Sequence, residues 1–412
     1  MNERPYDPDR DRPAVQRVWK ECGWISDDAQ HPAFDTMLSA GTARVVDMHG
    51  EAECLVTTHG GQVRYLHDDL PFSLVSAVTT GRVGRKQGIA GRLTARAVAA
   101  DAANGAAVSG LGMFEQGFYD QLGFGSGPYE HLLLFDPGDL RLPAGVTARA
   151  PRRLTAADGP AMHANRRIRR RGHGGCNMDD PEVTQAEVAW EKDGFGLGYY
   201  DDGNTLTHHF WSEPGGEHGP YRIRWLCGRT TADLMELLAL LRAQGDQIRQ
   251  VRMEEPPGLQ LQDLIQRPIR RQVTTRGAPL GQQLRFLAWW QMRINDLPAC
   301  LAATRLRTAS SLRFNLELTD PIAERLPANA PWRGIGGSYV ATLGAASGVD
   351  PGHDDALPTL RTTVNTFSRL WLGSAPASGL AATAGLDGPP ELIESLEEAL
   401  REIPVPHPDW EF

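Results

Sequence analysis

Short apolar runs alternate with a helical pattern in the first third of the chain. The runs at 43–46, 52–57 and 73–78 are bounded by turn residues and predict β-strands. From 88 to 103, Ile89, Leu93, Ala97 and Ala100 recur at helical spacing, and a further strand is predicted at 106–113. This order of elements predicts an α/β domain.

The pattern then repeats in a second segment. Strands are predicted at 146–149, 205–211 and 221–227, followed by an amphipathic helix at 233–243 with Leu234, Leu237, Leu238 and Leu241 on one face. Turn residues cluster near 137–145, and a third segment opens near 291 with alternating residues at 312–318 and a final helix at 391–403. The predicted domains are therefore 1–143, 144–290 and 291–412, in a mixed α/β (α+β) fold.

Composition and charge narrow the possible partners. The 412 residues carry 42 Lys and Arg against 51 Asp and Glu, a net charge of −9. A negative surface repels phosphate backbones, so we expect no nucleic-acid partner and favour a cationic small molecule. The basic cluster at 166–171 leaves two alternatives, an anion-binding patch or a solvated helix face paired with nearby acids. No apolar run is long enough to span a bilayer, and the charged, proline-broken start is unlike a signal peptide, so we expect no membrane association and a cytoplasmic protein.

Cysteine and histidine give no sign of a metal site. The five Cys are scattered without a CxxC pair, and the 12 His are dispersed without an HExxH motif. We therefore expect free thiols and no metal.

The most informative stretch is a basic, glycine-bearing turn at 79–91. A predicted strand runs into Arg85 and Lys86, and Gly88 and Ala90 open the next helix. Successive backbone N–H groups at a helix N-terminus form a cradle for a pyrophosphate. The alternative is an ordinary strand-to-helix turn with solvated basic residues.

The segment 85–90, Arg-Lys-Gln-Gly-Ile-Ala, resembles the R-x-x-G-x-G/A signature of GNAT acetyltransferases. The segment 117–125 resembles the Tyr-Gly-Arg-Phe-Gly-Tyr-Gly segment of the enhanced-intracellular-survival (Eis-like) family. The segments 293–305 and 370–373 and the terminal Glu411-Phe412 resemble the same family in the same order. The resemblance implies tandem GNAT domains, a sterol-carrier-protein-like C-terminal domain, acetyl-CoA as co-substrate and assembly as a homo-oligomer, often a hexamer.

The resemblance also implies roles for particular residues. The pyrophosphate site would comprise Arg85, Lys86, Gln87, Gly88, Ile89 and Ala90, with the backbone of Val78 and Thr80 holding the acetyl carbonyl and the pantetheine. Tyr119 would be the general acid and the α-carboxylate of Phe412 the general base. Without the resemblance, Tyr119 reads as a packing aromatic, and the proline-rich tail before Phe412 reads as a frayed terminus.

The acceptor pocket is open to alternatives. Trp24, Asp27 and Asp28 fall where the family places an acidic substrate contact, and Glu411 adds a further charge, although either aspartate can equally be a surface cap. We expect transfer of acetyl to a primary amine of an aminoglycoside-like or polyamine-like molecule. The alternatives are a catalytically inactive CoA- or lipid-binding module and an aminoacyl transferase that uses charged tRNA, the latter disfavoured by the negative charge.

Overall fold

The computed structural model describes residues 2–266, 283–308 and 311–411. The strands, numbered along the chain, are β1 (Asn2–Pro5), β2 (Thr42–Met48), β3 (Glu51–Tyr65), β4 (Asp68–Thr80), β5 (Val108–Gly112), β6 (Gly125–Ser126), β7 (Glu130–Phe135), β8 (Arg152–Leu154), β9 (Cys176–Met178), β10 (Phe195–Tyr200), β11 (Leu206–Glu213), β12 (Tyr221–Cys227), β13 (Val251–Glu254), β14 (Gln283–Leu287), β15 (Trp290–Ile294), β16 (Leu312–Thr319), β17 (Gly337–Leu343), β18 (Gly348–Pro351) and β19 (Thr359–Thr363).

The α-helices fall into three groups along the chain. They are α1 (Pro8–Cys22), α2 (His31–Ser39), α3 (Ile89–Ala103), α4 (Gly159–Ile168), α5 (Pro181–Trp190), α6 (Thr231–Ala243), α7 (Leu297–Ala302), α8 (Val364–Trp371), α9 (Ala377–Thr383) and α10 (Pro390–Leu400). None of the helices in the described residues is long and apolar enough to cross a membrane. All five cysteines are free, and four of them are buried.

Three sheets organise the molecule into three units, which we call the first, second and third units. The first sheet has the order β1-β2-β3-β4-β5-β15-β6, with β9 added to β3, and the second has the order β14-β7-β13-β12-β11-β10-β8. The third sheet has the order β18-β17-β16-β19. The predicted α/β class is confirmed by this arrangement of sheets and helices.

The first sheet is covered on both faces, as its alternating side chains require. On β2, Val45 packs with α1 and α2, while Val46 packs with α3. On β3, Leu55 and Val56 divide between the same two cores. The first sheet, including β4, therefore lies between helices on both of its faces.

The units exchange strands. β7, which precedes residue 143, belongs to the second sheet, and β15, at the start of the predicted third domain, pairs with β5 and β6 in the first. The third unit shares one apolar core with the first, where the rings of Tyr65 and Trp371 stack with centroids 4.1 Å apart. The three units thus form one packed body, and the domain boundaries drawn from the sequence stay a prediction.

The strand predicted at 146–149 is wrong. The N–H of Val146 donates to the carbonyl of Pro143 in a turn, and the segment stays outside the sheet. The neighbouring strand is β8, which begins after Pro151 and pairs with β10. The run at 146–149 contains one apolar β-branched residue, Val146, which is too weak a signal to distinguish it from the true strand at 152–154.

Candidate active site

A bulge in β4 shapes the site. Leu55 of β3 lies opposite Thr79 and Thr57 lies opposite Ser76, so one residue of β3 faces two residues of β4. The extra residue is Ala77, whose φ of 52° is in the left-handed region that non-glycine residues rarely adopt. Strained backbone of this kind is concentrated at functional sites.

After the bulge, β4 diverges from its parallel neighbour. β4 pairs with β5 only from Phe72 to Val75. Beyond that point a cavity of about 600 Å³ opens, and Val78 and Thr80 line it. In the described residues, the edge of β4 that faces β5 has no strand partner there, so its backbone groups are available to an amide-bearing ligand such as pantetheine.

The basic turn closes one end of this cavity. Arg85, Lys86, Gly88, Ile89 and Ala90 line it, whereas the amide of Gln87 donates to the carbonyl of Val83 at 2.7 Å and the residue lies outside the lining. Gly88 is the N-cap of α3 with a φ of 68°, and no side chain caps the helix. The N–H groups of the first turn are therefore open to an anion, and the helix dipole favours one.

The second unit repeats the cleft but not the turn. Its strand β12 has a register shift at Arg224 and pairs with β13 only from Tyr221 to Ile223, beside a second cavity of about 600 Å³. The N-terminus of α6, however, is closed by a capping box. The carboxylate of Asp233 accepts the N–H groups of Arg229 at 2.9 Å and Thr230 at 3.0 Å. A phosphate would meet a carboxylate here, so of these two described clefts it is the one in the first unit that suits a phosphate.

Tyr119 lies one layer beneath the cavity wall. Its side chain is 3% exposed, and its ring contacts Phe114 and Phe118, with centroids 5.7 Å and 4.9 Å away. Both phenylalanines line the cavity, while Tyr119 itself is outside the lining. Burial raises the pKa of the phenol above its usual value, so the hydroxyl stays protonated at neutral pH.

The structure separates the residues predicted to hold the acceptor. Trp24 lines the cavity and is 44% exposed. Asp27 and Asp28 lie outside the lining: Asp27 caps a short 3-10 helix through the N–H of Ala29, and Asp28 pairs with Lys20. The surface-cap alternative describes Asp27, while Asp28 is a surface residue paired with a lysine.

One acidic residue of the cavity escaped the sequence prediction. Glu115, which comes soon after β5, is the carboxylate among the described lining residues, and Cys22 and Arg325 also line the cavity. The signal was its position just after a parallel strand, where ligands of open α/β sheets bind. Arg325 comes from the third unit and had no local signal.

The C-terminal tail meets the second unit before it ends. Phe412 lies outside the described residues, so its predicted role stays a prediction. Glu411 is described, and its carboxylate pairs with Arg222 at 2.6 Å and Arg224 at 2.9 Å. Glu411 is thus neutralised on β12 and is absent from the lining of the first cavity.

A buried acidic cluster lies where the tail crosses the second sheet. Atoms of Glu130, Glu254 and His407 that can bind a metal lie within 4.8 Å of one another. The N–H of Asp409 donates to Nδ1 of His407 at 3.0 Å, which leaves the ring proton on Nε2, the atom facing Glu130. A metal needs a lone pair there, so the set fits a shared proton better than an ion.

Glu254 is the carboxyl of this cluster that holds a proton at neutral pH. Burial, together with the charges of Glu130 and Glu411, raises the pKa of Glu254 to about 8. Glu130 instead accepts the indole N–H groups of Trp289 at 2.7 Å and Trp290 at 2.8 Å. The expectation of no metal stays a prediction.

Comparison with known proteins identifies the fold. No protein-family model and no curated protein matches the sequence. Solved structures that match over the whole chain include a probable N-acyltransferase of unknown function from Enterococcus faecalis V583 (TM-score 0.77, 17% identity, 100% of this chain and 99% of that one), a GCN5-related N-acetyltransferase from Kribbella flavida (0.74, 18%, 100% and 98%) and Eis1 from Mycobacterium abscessus (0.75, 15%, 100% and 100%). The chain has the fold of Eis-like GNAT proteins, which confirms the resemblance at the level of fold. The sterol-carrier character of the third unit stays a prediction.

The difference between the two turns predicts that Arg85 and Lys86 bind phosphate. Replacing Arg85 and Lys86 together by Ala should weaken acetyl-CoA binding by about 100-fold, since each lost charged contact is worth about tenfold. The matched control is Arg229→Ala, at the equivalent turn of the second unit, which should leave the Kd unchanged. Calorimetric titration at two salt concentrations measures both, and a loss in R229A equal to that in the double variant would contradict the assignment.

The raised pKa of Glu254 predicts how the free energy of unfolding changes with pH. Because the pKa of Glu254 is raised on folding, the native state binds its proton more tightly than the unfolded state, and stability is lost as pH rises towards and through about 8. Glu254→Gln should remove this loss and stabilise the protein on the order of 2–4 kcal/mol at pH 9, with little effect at pH 5. Urea unfolding at both pH values tests it, with the exposed Glu394→Gln on α10 as control. An equal effect at both pH values would refute the raised pKa.

Proposed function

We propose that this protein is an acetyl-CoA-dependent N-acetyltransferase whose cofactor binds in the cavity of the first unit. The observation that carries the proposal is the uncapped, basic N-terminus of α3 beside the diverging edge of β4. That pairing provides a cradle for a pyrophosphate and an unpaired strand edge for the pantetheine amides. The shared fold with GCN5-related N-acetyltransferases supports the same reading.

Transfer of acetyl to an amine sets three chemical requirements. The amine, with a pKa of about 10, must lose a proton, the tetrahedral oxyanion must be stabilised, and the leaving thiolate must be protonated. We assign the oxyanion to the backbone at Val78 and Thr80. Tyr119 is the proposed acid, since a phenol is protonated at neutral pH and can donate to the thiolate.

The proposed base is the α-carboxylate of Phe412, and Glu115 is the competing candidate. Glu115 lines the cavity between Phe114 and Phe118, while the end of the tail lies outside the described residues. A general base contributes about 10²–10⁴-fold to the rate, so loss of the true base is easily measured.

A cationic acceptor fits the walls of the cavity. Trp24 and Phe114 are 44% and 64% exposed and offer aromatic faces to an ammonium group, with the Glu115 carboxylate nearby. The net charge of −9 attracts cations over a longer range. We propose aminoglycoside-like or polyamine-like molecules as acceptors and a homo-oligomer as the working form.

The decisive experiment monitors thiol release from acetyl-CoA with a panel of polyamines and aminoglycosides. We expect release that depends on the amine and saturates with both substrates. Tight binding of acetyl-CoA without release by any amine would instead identify a CoA-binding module and overturn the proposal.

A second measurement identifies the base. Adding one Gly after Phe412 displaces the carboxylate and should lower kcat by about 100-fold or more, with the Kd of acetyl-CoA unchanged. Glu115→Gln should keep most of the rate. The opposite result, a collapsed E115Q enzyme and an active extended one, would transfer the role to Glu115.

A further inference from the structure

The tail from Pro404 to Glu411 is held from Pro406 onwards by the second unit, although chain termini are usually poorly ordered. The N–H of His407 donates to the carbonyl of His173 at 2.9 Å, and the N–H of Cys176 donates to the carbonyl of Pro408 at 2.7 Å. Gly174 makes this approach possible: its φ is 81°, and an added Cβ would lie 2.7 Å from the tail backbone. The loop before β9 is therefore shaped around the tail.

Arg169 fixes the next residue of the tail. Its Nε donates to the Asp409 carboxylate at 2.6 Å, and its Nη2 donates to the Asp409 carbonyl at 2.5 Å. The same guanidinium reaches Asn177 and the carbonyl of Cys176, and the side chain is 3% exposed. Asp409 itself has a φ of 49°, so a full set of hydrogen bonds holds it in a left-handed conformation.

Trp410 is buried, with 3% of its surface exposed. The guanidinium of Arg166 lies 3.5 Å from the Trp410 ring centroid and 3.9 Å from that of Trp225, so the cation is sandwiched between two indoles. Glu187 joins both partners, since it pairs with Arg166 and accepts the Trp410 indole N–H at 3.0 Å. Arg166 and Arg169 are thus buried, and the expectation of a solvated basic face was wrong for these two.

The tail occupies the cleft that corresponds to the cofactor site of the first unit. Trp225 comes directly after the bulge in β12, and it lines the second cavity together with Trp410 and Arg166. The capped N-terminus of α6 already makes this cleft unsuited to phosphate. The cleft proposed to bind a ligand in the first unit therefore has a counterpart in the second unit that binds the C-terminal tail.

A short series of contacts links the end of the described tail to the first cavity. Glu411 lines a cavity of about 200 Å³ together with Trp289. The carbonyl of Trp289 accepts the N–H of Met113 at 2.7 Å, and Met113 precedes Phe114 in the wall of the first cavity. Trp289 therefore connects the cavity lined by Glu411 to the wall of the proposed active site.

We propose that the second unit's cleft is a cradle that positions the end of the tail for acetyl transfer in the first unit, with Trp410 as the positioning residue. This inference rests on the proposed function. It explains why a unit without a phosphate site keeps the same bulged strand. Trp410 touches neither cofactor nor acceptor and acts only through the two residues after it in the chain.

The test uses the full chain with Trp410→Ala, Trp410→Phe and Asp409→Asn, and Glu402→Ala as an exposed control just before the tail. Amide exchange of residues 404–411, the Kd of acetyl-CoA, kcat and KM are measured for each. In W410A we expect faster exchange confined to the tail, an unchanged Kd and a kcat lower by about 100-fold, the usual effect of misplacing a catalytic group. W410F should recover part of kcat, and D409N should show a smaller loss of the same kind.

The outcomes separate the two proposals. A wild-type protein that releases no thiol with any amine overturns the proposed function and the inference with it. An active wild type, with a loosened tail and unchanged kcat in W410A, overturns the positioning role alone. A tail that stays protected in W410A overturns the assignment of Trp410, and if W410A does not fold, D409N decides between the same results.

Discussion

The backbone conformation of Ala77 is the constraint on which the first unit depends. A left-handed alanine in the middle of a strand costs about 1–3 kcal/mol and persists only where its surroundings determine it. Here the side chain is 5% exposed and packs in the core formed with α1 and α2, so the straightened strand would lose that packing. The bulge in turn forces β4 away from β5, and the cavity is the space between them.

The same strand geometry serves two purposes because the helices after the two strands begin differently. Gly88 provides no capping side chain, which leaves the first N–H groups of α3 for an anion. Thr230 and Asp233 satisfy the corresponding groups of α6 internally. Cap chemistry, which is local and costs about 1 kcal/mol to change, therefore decides which cleft is suited to a phosphate.

This contrast also shows what a sequence can and cannot reveal. The strand, basic turn and helix at 73–103 were predictable, because periodicity and turn residues are local signals. Arg85, Lys86, Gly88 and Ala90 could be named from that turn, whereas Ile89 was named from the resemblance to the GNAT signature, and all five line the cavity. The bulge was not predictable, since alanine gives no sign of a positive φ. The exchanged strands, the burial of Arg166 and the layer that separates Tyr119 from the cavity were not predictable either, because all three depend on the packing of the folded chain. The exchanged strands and Arg166 contact partners more than 15 residues away in sequence. Asp27 and Asp28 lie outside the cavity, where Asp27 accepts the N–H of Ala29 as a helix cap and Asp28 pairs with Lys20.

Buried arginines connect the units whose relative position the cavity requires. Arg293 on β15 is fully buried and pairs with Asp320 of the third unit at 2.8 Å, and it also donates to the carbonyl of Leu122, which lines the first cavity. Asp320 begins the 3-10 helix that ends at Arg325, which lines that cavity. Removing one partner of such a pair leaves an uncompensated charge and costs about 3–5 kcal/mol, whereas an apolar contact tolerates sliding. A charged pair therefore fixes the register between the first and third units, and since the cavity draws its wall from both, the same pair fixes the shape of the site.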